Sequence, residues 1–228
     1  MIIKMKFAGV LAVLALLAGC GNDKSGPNPV VSAIGGVAKA GMAKMKASKA
    51  DETAASRPAP TPAQQRATLE EGGKPLLRVA SATLGQNVLA TVADSKGDVQ
   101  TWKADGATFS QRNGVLIQTR GLGADLMSAE APSVGQLRSG GSYQRLYYFL
   151  GADDQGTRRT YECTASVVGP ESIEILARSY ATTHVTEVCE RTSGRVTNDY
   201  WIEGKSIRKS RQWVSAAIGY LEFERVVD

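Results

Sequence analysis

The sequence predicts an antiparallel all-β domain, a barrel or a two-sheet sandwich, behind an N-terminal signal peptide and a partly helical or disordered tether. Three observations carry this prediction. From Gly73 onward, short runs of period near two alternate with Gly, Asn and Asp turns at intervals of about ten residues. The composition joins 24 glycines to many Val and Thr residues, which favours strands and turns over helices. The resulting ladder of about ten to twelve strands exceeds what one open sheet holds comfortably, so closure or a second layer is expected.

The N-terminal elements precede that domain. Lys4 and Lys6 open a basic start, Phe7 to Leu17 is an apolar run, and Leu17-Ala18-Gly19-Cys20 ends it, the layout of a secretory signal. The run is too short for a stable membrane-spanning helix. Its end resembles the lipobox of bacterial lipoproteins, which implies a diacylglyceryl group on Cys20, cleavage after Gly19 and acylation of the new amine. Two or three acyl chains make membrane anchoring stable. Gly21, in place of the aspartate that retains lipoproteins in the inner membrane, implies the outer membrane on its periplasmic side.

Residues 1–19 are thus expected as the signal peptide, 20–73 as a lipidated Ala/Lys/Pro-rich tether and 74–228 as the β domain. The tether has no aromatic residue and too little apolar surface to fold alone. Within it, Val30, Ile34, Val37 and Met45 share a helical face, and Thr61-Pro62-Ala63-Gln64 has the form of a capping box with proline at the first helical position. Gly72-Gly73 then ends the helix. Lys39, Lys44, Lys46 and Lys49 are read as a solvated linker, with contact to anionic lipid or polymer as the second reading.

The strands follow in order. Leu76 to Ser81, Asn87 to Ala93, Val99 to Lys103, Thr108 to Arg112 and Val115 to Arg120 are expected, with turns at Ser95–Asp98 and Asp105-Gly106. Asn113-Gly114 is a two-residue hairpin turn, because both of its central residues tolerate positive φ. Gly121 to Gly141, interrupted by Pro132, reads as a loop with a helical turn around Ala124 to Ala129. Strands resume at Tyr143–Leu150, Arg158–Val168, Ser172–Ser179, Thr183–Arg191, Arg195–Ile202, Ser206–Val214 and Ile218–Val227.

The residues offer little catalytic chemistry, and the chain is read as a non-enzyme. His184 is the only histidine, and no spacing suggests a triad or a metal site. Asp153-Asp154 and the pair Glu171 and Glu174 are the carboxylates to weigh for glycosidase chemistry, and the first pair precedes Gly156 in a turn. No cofactor is expected beyond the lipid on Cys20. The net charge of +5, or +3 once Lys4 and Lys6 are removed, is too mild for nucleic acid.

Three cysteines in an exported chain divide into the lipidated one and a pair, Cys163 and Cys189. If a complete strand separates them, they sit about 9.6 Å apart on next-nearest strands, beyond the roughly 7 Å limit of a disulfide. Bonding therefore requires strands that pair directly, cross or face each other, and two small buried thiols are the alternative.

The C-terminal run Tyr200-Trp201-Ile202 and Lys205 to Trp213 sets aromatic rings among cations. Strict alternation places Lys205, Ile207, Lys209, Arg211 and Trp213 on one face. An acidic polysaccharide suits such a surface, since Arg forks a carboxylate and a ring covers an apolar sugar face. A solvated edge strand is the other reading.

Two further segments, together with the lipobox, resemble the YjbF/GfcB lipoproteins encoded with exopolysaccharide and group 4 capsule secretion genes. One is Gly114 to Leu126, a glycine, an apolar strand, a threonine, then Gly121-Leu122 and Asp125-Leu126. The other is Asn198-Asp199-Tyr200-Trp201 with Ser210-Arg211-Gln212. The resemblance implies a β-rich, non-enzymatic outer-membrane lipoprotein assisting secretion or assembly of a surface polysaccharide. Its partners would be polymer or other secretion proteins. The matched motifs nominate Arg120, Asp125, Trp201, Arg211 and Gln212 as contacts, each with a plain structural role as the counter-reading. The alternative function is a periplasmic barrel that carries or senses a lipid or small apolar ligand.

Overall fold

The computed structural model describes residues 59–150 and 156–228. The predicted signal, Cys20, most of the tether and Asp153-Asp154 lie outside them. Among the described residues two helices and twelve strands appear: α1 (Pro62–Glu71), β1 (Leu76–Ser81), β2 (Gln86–Lys96), β3 (Val99–Ala104), β4 (Ala107–Arg112), β5 (Val115–Arg120), β6 (Leu126–Glu130), α2 (Val134–Ser139), β7 (Gly141–Leu150), β8 (Gly156–Ile175), β9 (Arg178–Arg191), β10 (Gly194–Glu203), β11 (Ser206–Ser215) and β12 (Gly219–Val227).

Every strand pair is antiparallel, in the order β5-β4-β3-β2-β1-β12-β11-β10-β9-β8-β7-β6. The sheet curls into a nearly closed barrel whose two edge strands, β5 and β6, meet at a seam. Of the two predicted architectures, the barrel is the one formed. The Asn113-Gly114 turn has φ of 49° and 90°, as its hairpin requires.

Two local expectations change. The stretch expected as a helical turn is strand β6, and the helix comes later, at α2, opened by a capping box between Ser133 and Gln136. A five-residue strand with one fully buried residue, Leu126, has too short a period to tell strand from helix. The expected strand Arg158–Val168 and the first half of the expected Ser172–Ser179 form one twenty-residue strand, β8, while Arg178-Ser179 open β9 beyond a turn at Leu176-Ala177. Gly169-Pro170 reads as a break, but the chain passes through it with a bulge at Val168. Pro170 is tolerated because β7 ends opposite Ala165, leaving this stretch with β9 on one side only.

Most of the interior is apolar and aromatic. Tyr147, Phe149, Tyr161 and Trp213 meet mostly edge to face, with ring centroids of Trp213 and Tyr147 5.2 Å apart. Each such buried side chain contributes about 1.5–3 kcal/mol. Charges such as Glu190, Arg195 and Lys209 stand outside, the reverse of a membrane-spanning barrel.

One end of the barrel is closed by α1 and the β8–β9 turn. The Thr61–Gln64 capping box is formed and Leu69 is buried beside Leu76, Ile175, Tyr180 and Val226. Arg66 donates to the carbonyl oxygens of Leu176 (2.9 Å), Val226 (2.7 Å) and Ile175. One guanidinium thus ties helix, hairpin tip and final strand, so α1, which falls in the stretch read as tether, is docked on the barrel.

Candidate functional site

Inside the barrel, two charges meet in full burial. Arg145 on β7 donates from Nη1 to Glu187 Oε2 on β9 at 2.6 Å, and both residues are 0% exposed. A lone buried charge is prohibitively costly, so the surrounding hydrogen bonds matter. Glu187 also accepts from Tyr143 (2.9 Å), Asn198 (2.6 Å) and Tyr200 (3.0 Å), and Arg145 donates to Tyr200 (3.1 Å) and the Leu116 carbonyl (3.3 Å). Burial together with the Glu187 carboxylate pushes the Tyr143 and Tyr200 hydroxyls well above the usual phenol range. Burial alone would lower the Arg145 guanidinium, but Glu187 holds it above its ordinary value.

The two C-terminal motif fragments join this network. Asn198 spans it, donating to Glu187 while its Oδ1 accepts from the Trp213 amide at 2.7 Å. Gln212 crosses to the far wall, accepting from Leu116 N (2.8 Å) and donating to the Gly114 carbonyl (2.9 Å) and Ser210 Oγ (2.9 Å). Gly114 is needed there twice over, for its φ of 90° and because a Cβ would stand 2.8 Å from Ile207 Cβ.

The seam between β5 and β6 is closed by side chains. Asp125 accepts from Thr119 Oγ1 (2.8 Å), Gly121 N (3.0 Å) and Leu122 N (3.2 Å), while Thr119 accepts from Leu126 N (3.0 Å). Arg120 donates to the carbonyls of Thr119 (2.6 Å), Leu126 (3.2 Å) and Met127 (3.2 Å), and Gln118 donates to Met127 (2.9 Å). In this geometry Arg120, Asp125 and Gln212 hydrogen-bond across barrel walls.

Trp201 and Arg211 instead stand half-buried on the outer face. Trp201 stacks on His184 with centroids 4.6 Å apart, and Lys209 Nζ lies 5.5 Å from its ring centre. His184 and Lys209 occupy the register positions on either side of Trp201, so the ring stands between them. His184 in turn lies between Glu171 (3.3 Å) and Asp199 (3.1 Å), so the Glu171 carboxylate is engaged in a polar surface cluster. The alternation expected along β11 is interrupted. A bulge at Arg208 puts Ile207 inward with Ser210 and Gln212, leaving Arg208, Lys209 and Arg211 outward.

Cys163 and Cys189 are directly paired across β8 and β9, with Cα atoms 4.0 Å apart and sulfurs bonded. The separation expected of next-nearest strands does not apply, because the intervening residues form the extended hairpin. Glu187 lies close by, its carboxylate within 4.8 Å of both sulfurs. That trio would suit a metal only as thiolates, and the S–S bond leaves none.

Sequence reasoning missed Arg145 and Glu187. The signal was present, since alternation puts Arg145 in one stripe with Tyr143, Tyr147 and Phe149, and Glu187 in one with Val185 and Cys189. A charge in an apolar stripe calls for a buried partner.

Comparison with known proteins follows the same lines. In a crystal structure, the hypothetical lipoprotein YmcC from Escherichia coli (K12) has a similar fold, with a TM-score of 0.61 and 20% identity over 72% of this chain and 88% of that one. No curated protein matches the chain. The family described as group 4 capsule polysaccharide lipoprotein gfcB, YjbF, matches residues 53–226, from before α1 almost to the end of β12, and to that family the chain belongs.

Proposed function

We propose that this protein is a non-enzymatic, outer-membrane lipoprotein, anchored through Cys20 on the periplasmic side, that assists secretion or assembly of a capsule or exopolysaccharide. The observation that carries the reading is the division of labour in the barrel. The interior and seam positions of both family motifs are spent on closing and bracing it, which leaves the outer face and the lipid as the working parts. Against a carrier of apolar ligands speak the side chains of Tyr147, Trp213 and the Arg145–Glu187 pair, which are buried inside the barrel. The contacts would be polymer or another secretion component.

Deletion of the gene, with surface polysaccharide measured on whole cells, tests this. Loss of surface polymer restored by the wild-type chain supports it, and unchanged polymer refutes it. A Cys20→Ala chain is expected in the soluble fraction and fails to restore export. Retention of that variant in the membrane would remove Cys20 as the anchor.

A further inference from the structure

At the barrel end opposite α1, the β1–β2 and β11–β12 turns lie side by side and border a hollow of about 500 Å³ on the outer face. Gly219, at φ 72°, keeps them together, since a Cβ there would come 3.2 Å from Thr83 Oγ1. Tyr220 is one wall. Its ring is fixed by the Thr197 amide, which donates to its hydroxyl at 3.2 Å, and the Arg211 guanidinium lies 3.6 Å from its centre. Glu222, Asn87, Gln86 and Thr83 supply further polar lining, beside the small residues Ala80 to Ala82 and Gly85.

This hollow holds unused hydrogen-bonding capacity. Among the described residues, no side-chain hydrogen bond or ion pair engages Arg211, Glu222, Gln86, Asn87 or Thr83. Elsewhere on the outer face the charged groups of β10 to β12 are mostly taken: Lys209 by Glu224, Arg208 by Glu203 and Asp228. The volume falls in the range of about 300–1,000 Å³ usual for small-ligand sites, where a few polar groups converge beside an aromatic wall. Planar donors and acceptors spread around a ring match paired hydroxyls, and the stacked guanidinium is pre-oriented, so little freedom is lost on binding. Arg211 and Glu222 cancel in charge, which selects hydroxyls over net charge.

We propose that this hollow is a subsite for one sugar residue of the polymer, held by Arg211, Glu222, Asn87 and Gln86 through its hydroxyl groups, an inference that rests on the polysaccharide reading above. Its position at the end away from α1 keeps it clear of the side on which the chain runs back toward residue 59.

The test is calorimetric titration of the full-length lipoprotein, in detergent, with oligosaccharides cut from the surface polysaccharide of the producing strain. Arg211→Gln and Asn87→Ala are each expected to weaken binding about tenfold, the loss of one good hydrogen bond, with unchanged unfolding temperature. The exposed Arg195→Gln is the control and binds as wild type. Because the lining is neutral, raising the salt from about 0.05 M to 0.5 M changes the affinity by less than about threefold. No binding by wild type, equal binding by both variants, or binding abolished by salt overturns the subsite.

Cells separate this result from the broader one. If deletion abolishes surface polymer while an Arg211→Gln/Asn87→Ala chain restores it fully, the subsite falls and the secretion role stands. If deletion changes nothing, the secretion role falls and the titration alone judges the hollow.

Discussion

Arg145 and Glu187, on next-nearest strands β7 and β9, form an ion pair that solvent does not reach, with Nη1 and Oε2 2.6 Å apart. Cys163 on β8 lies between their strands, bonded to Cys189. The pair is the hub to which Tyr143, Asn198 and Tyr200 point, and through Gln212 it reaches β5 on the far wall. Its arrangement makes the barrel's polar centre a single unit, so its members should fail together rather than singly.

Removing one partner exposes that unity. Arg145→Met leaves a buried carboxylate with three donors and no cation, and should cost about 3–5 kcal/mol. The double variant Arg145→Met/Glu187→Leu removes both charges and should recover most of the loss. Urea denaturation measures both, and a double variant as unstable as the single one would show that the charge is not the source of the cost.

The seam gives a second prediction. Asp125→Ala frees the amides of Gly121 and Leu122 and the hydroxyl of Thr119, and should destabilise by about 1–3 kcal/mol. Hydrogen exchange should quicken first in β5 and β6, because no backbone ladder joins them. Unchanged stability and exchange would return Asp125 to the list of surface contacts.

Much of this barrel was legible because its turns announce themselves. Asn113-Gly114, Asp105-Gly106 and the other short turns fixed the meander, and period two fixed most strands. The errors cluster where local sequence and tertiary setting part company. Gly169-Pro170 looks like a strand end unless one knows that β7 stops at the residue pairing with Ala165. The hairpin turn itself falls on Leu176-Ala177, at φ 45° and 61°, with no glycine to mark it. The bulge at Arg208 shifts the outward face of β11 by one residue, and bulges leave no period to read. The candidate residues divided for the same reason. The hydrogen bonds of Arg120 to Leu126 and of Gln212 to Gly114 form only on closure of the sheet, which no local pattern announces.

The disulfide closes a separation of 26 residues on the inner side of the β8–β9 hairpin. Cys163→Ala/Cys189→Ala should therefore lower stability by about 2–4 kcal/mol. Thiol titration of the denatured chain without reductant should find neither cysteine free. Two reactive thiols there, or no stability change in the double variant, would remove the cross-link from the account.

The chain end supplies a pH-dependent prediction. Arg208 donates to both oxygens of Asp228, at 2.6 and 2.8 Å, and to Glu203 at 2.7 Å. Partial burial would raise the Asp228 carboxyl, but its hydrogen bonds to Arg208 and the nearby positive charges outweigh that and hold it below the ordinary carboxylate value. A carboxyl depressed in the folded state binds fewer protons folded than unfolded. Its contribution is complete above the unfolded value near about 3.9 and fades as pH falls through the lower, folded one. Solvent screens this exposed pair, so the contribution stays below about 1 kcal/mol. The stability difference between wild type and Asp228→Asn should be measurable at neutral pH and vanish near about pH 2, and should shrink in about 1 M salt. A difference that persists in acid would place the effect of the substitution in packing at the end of β12, where Val226 lies against Leu69, rather than in charge.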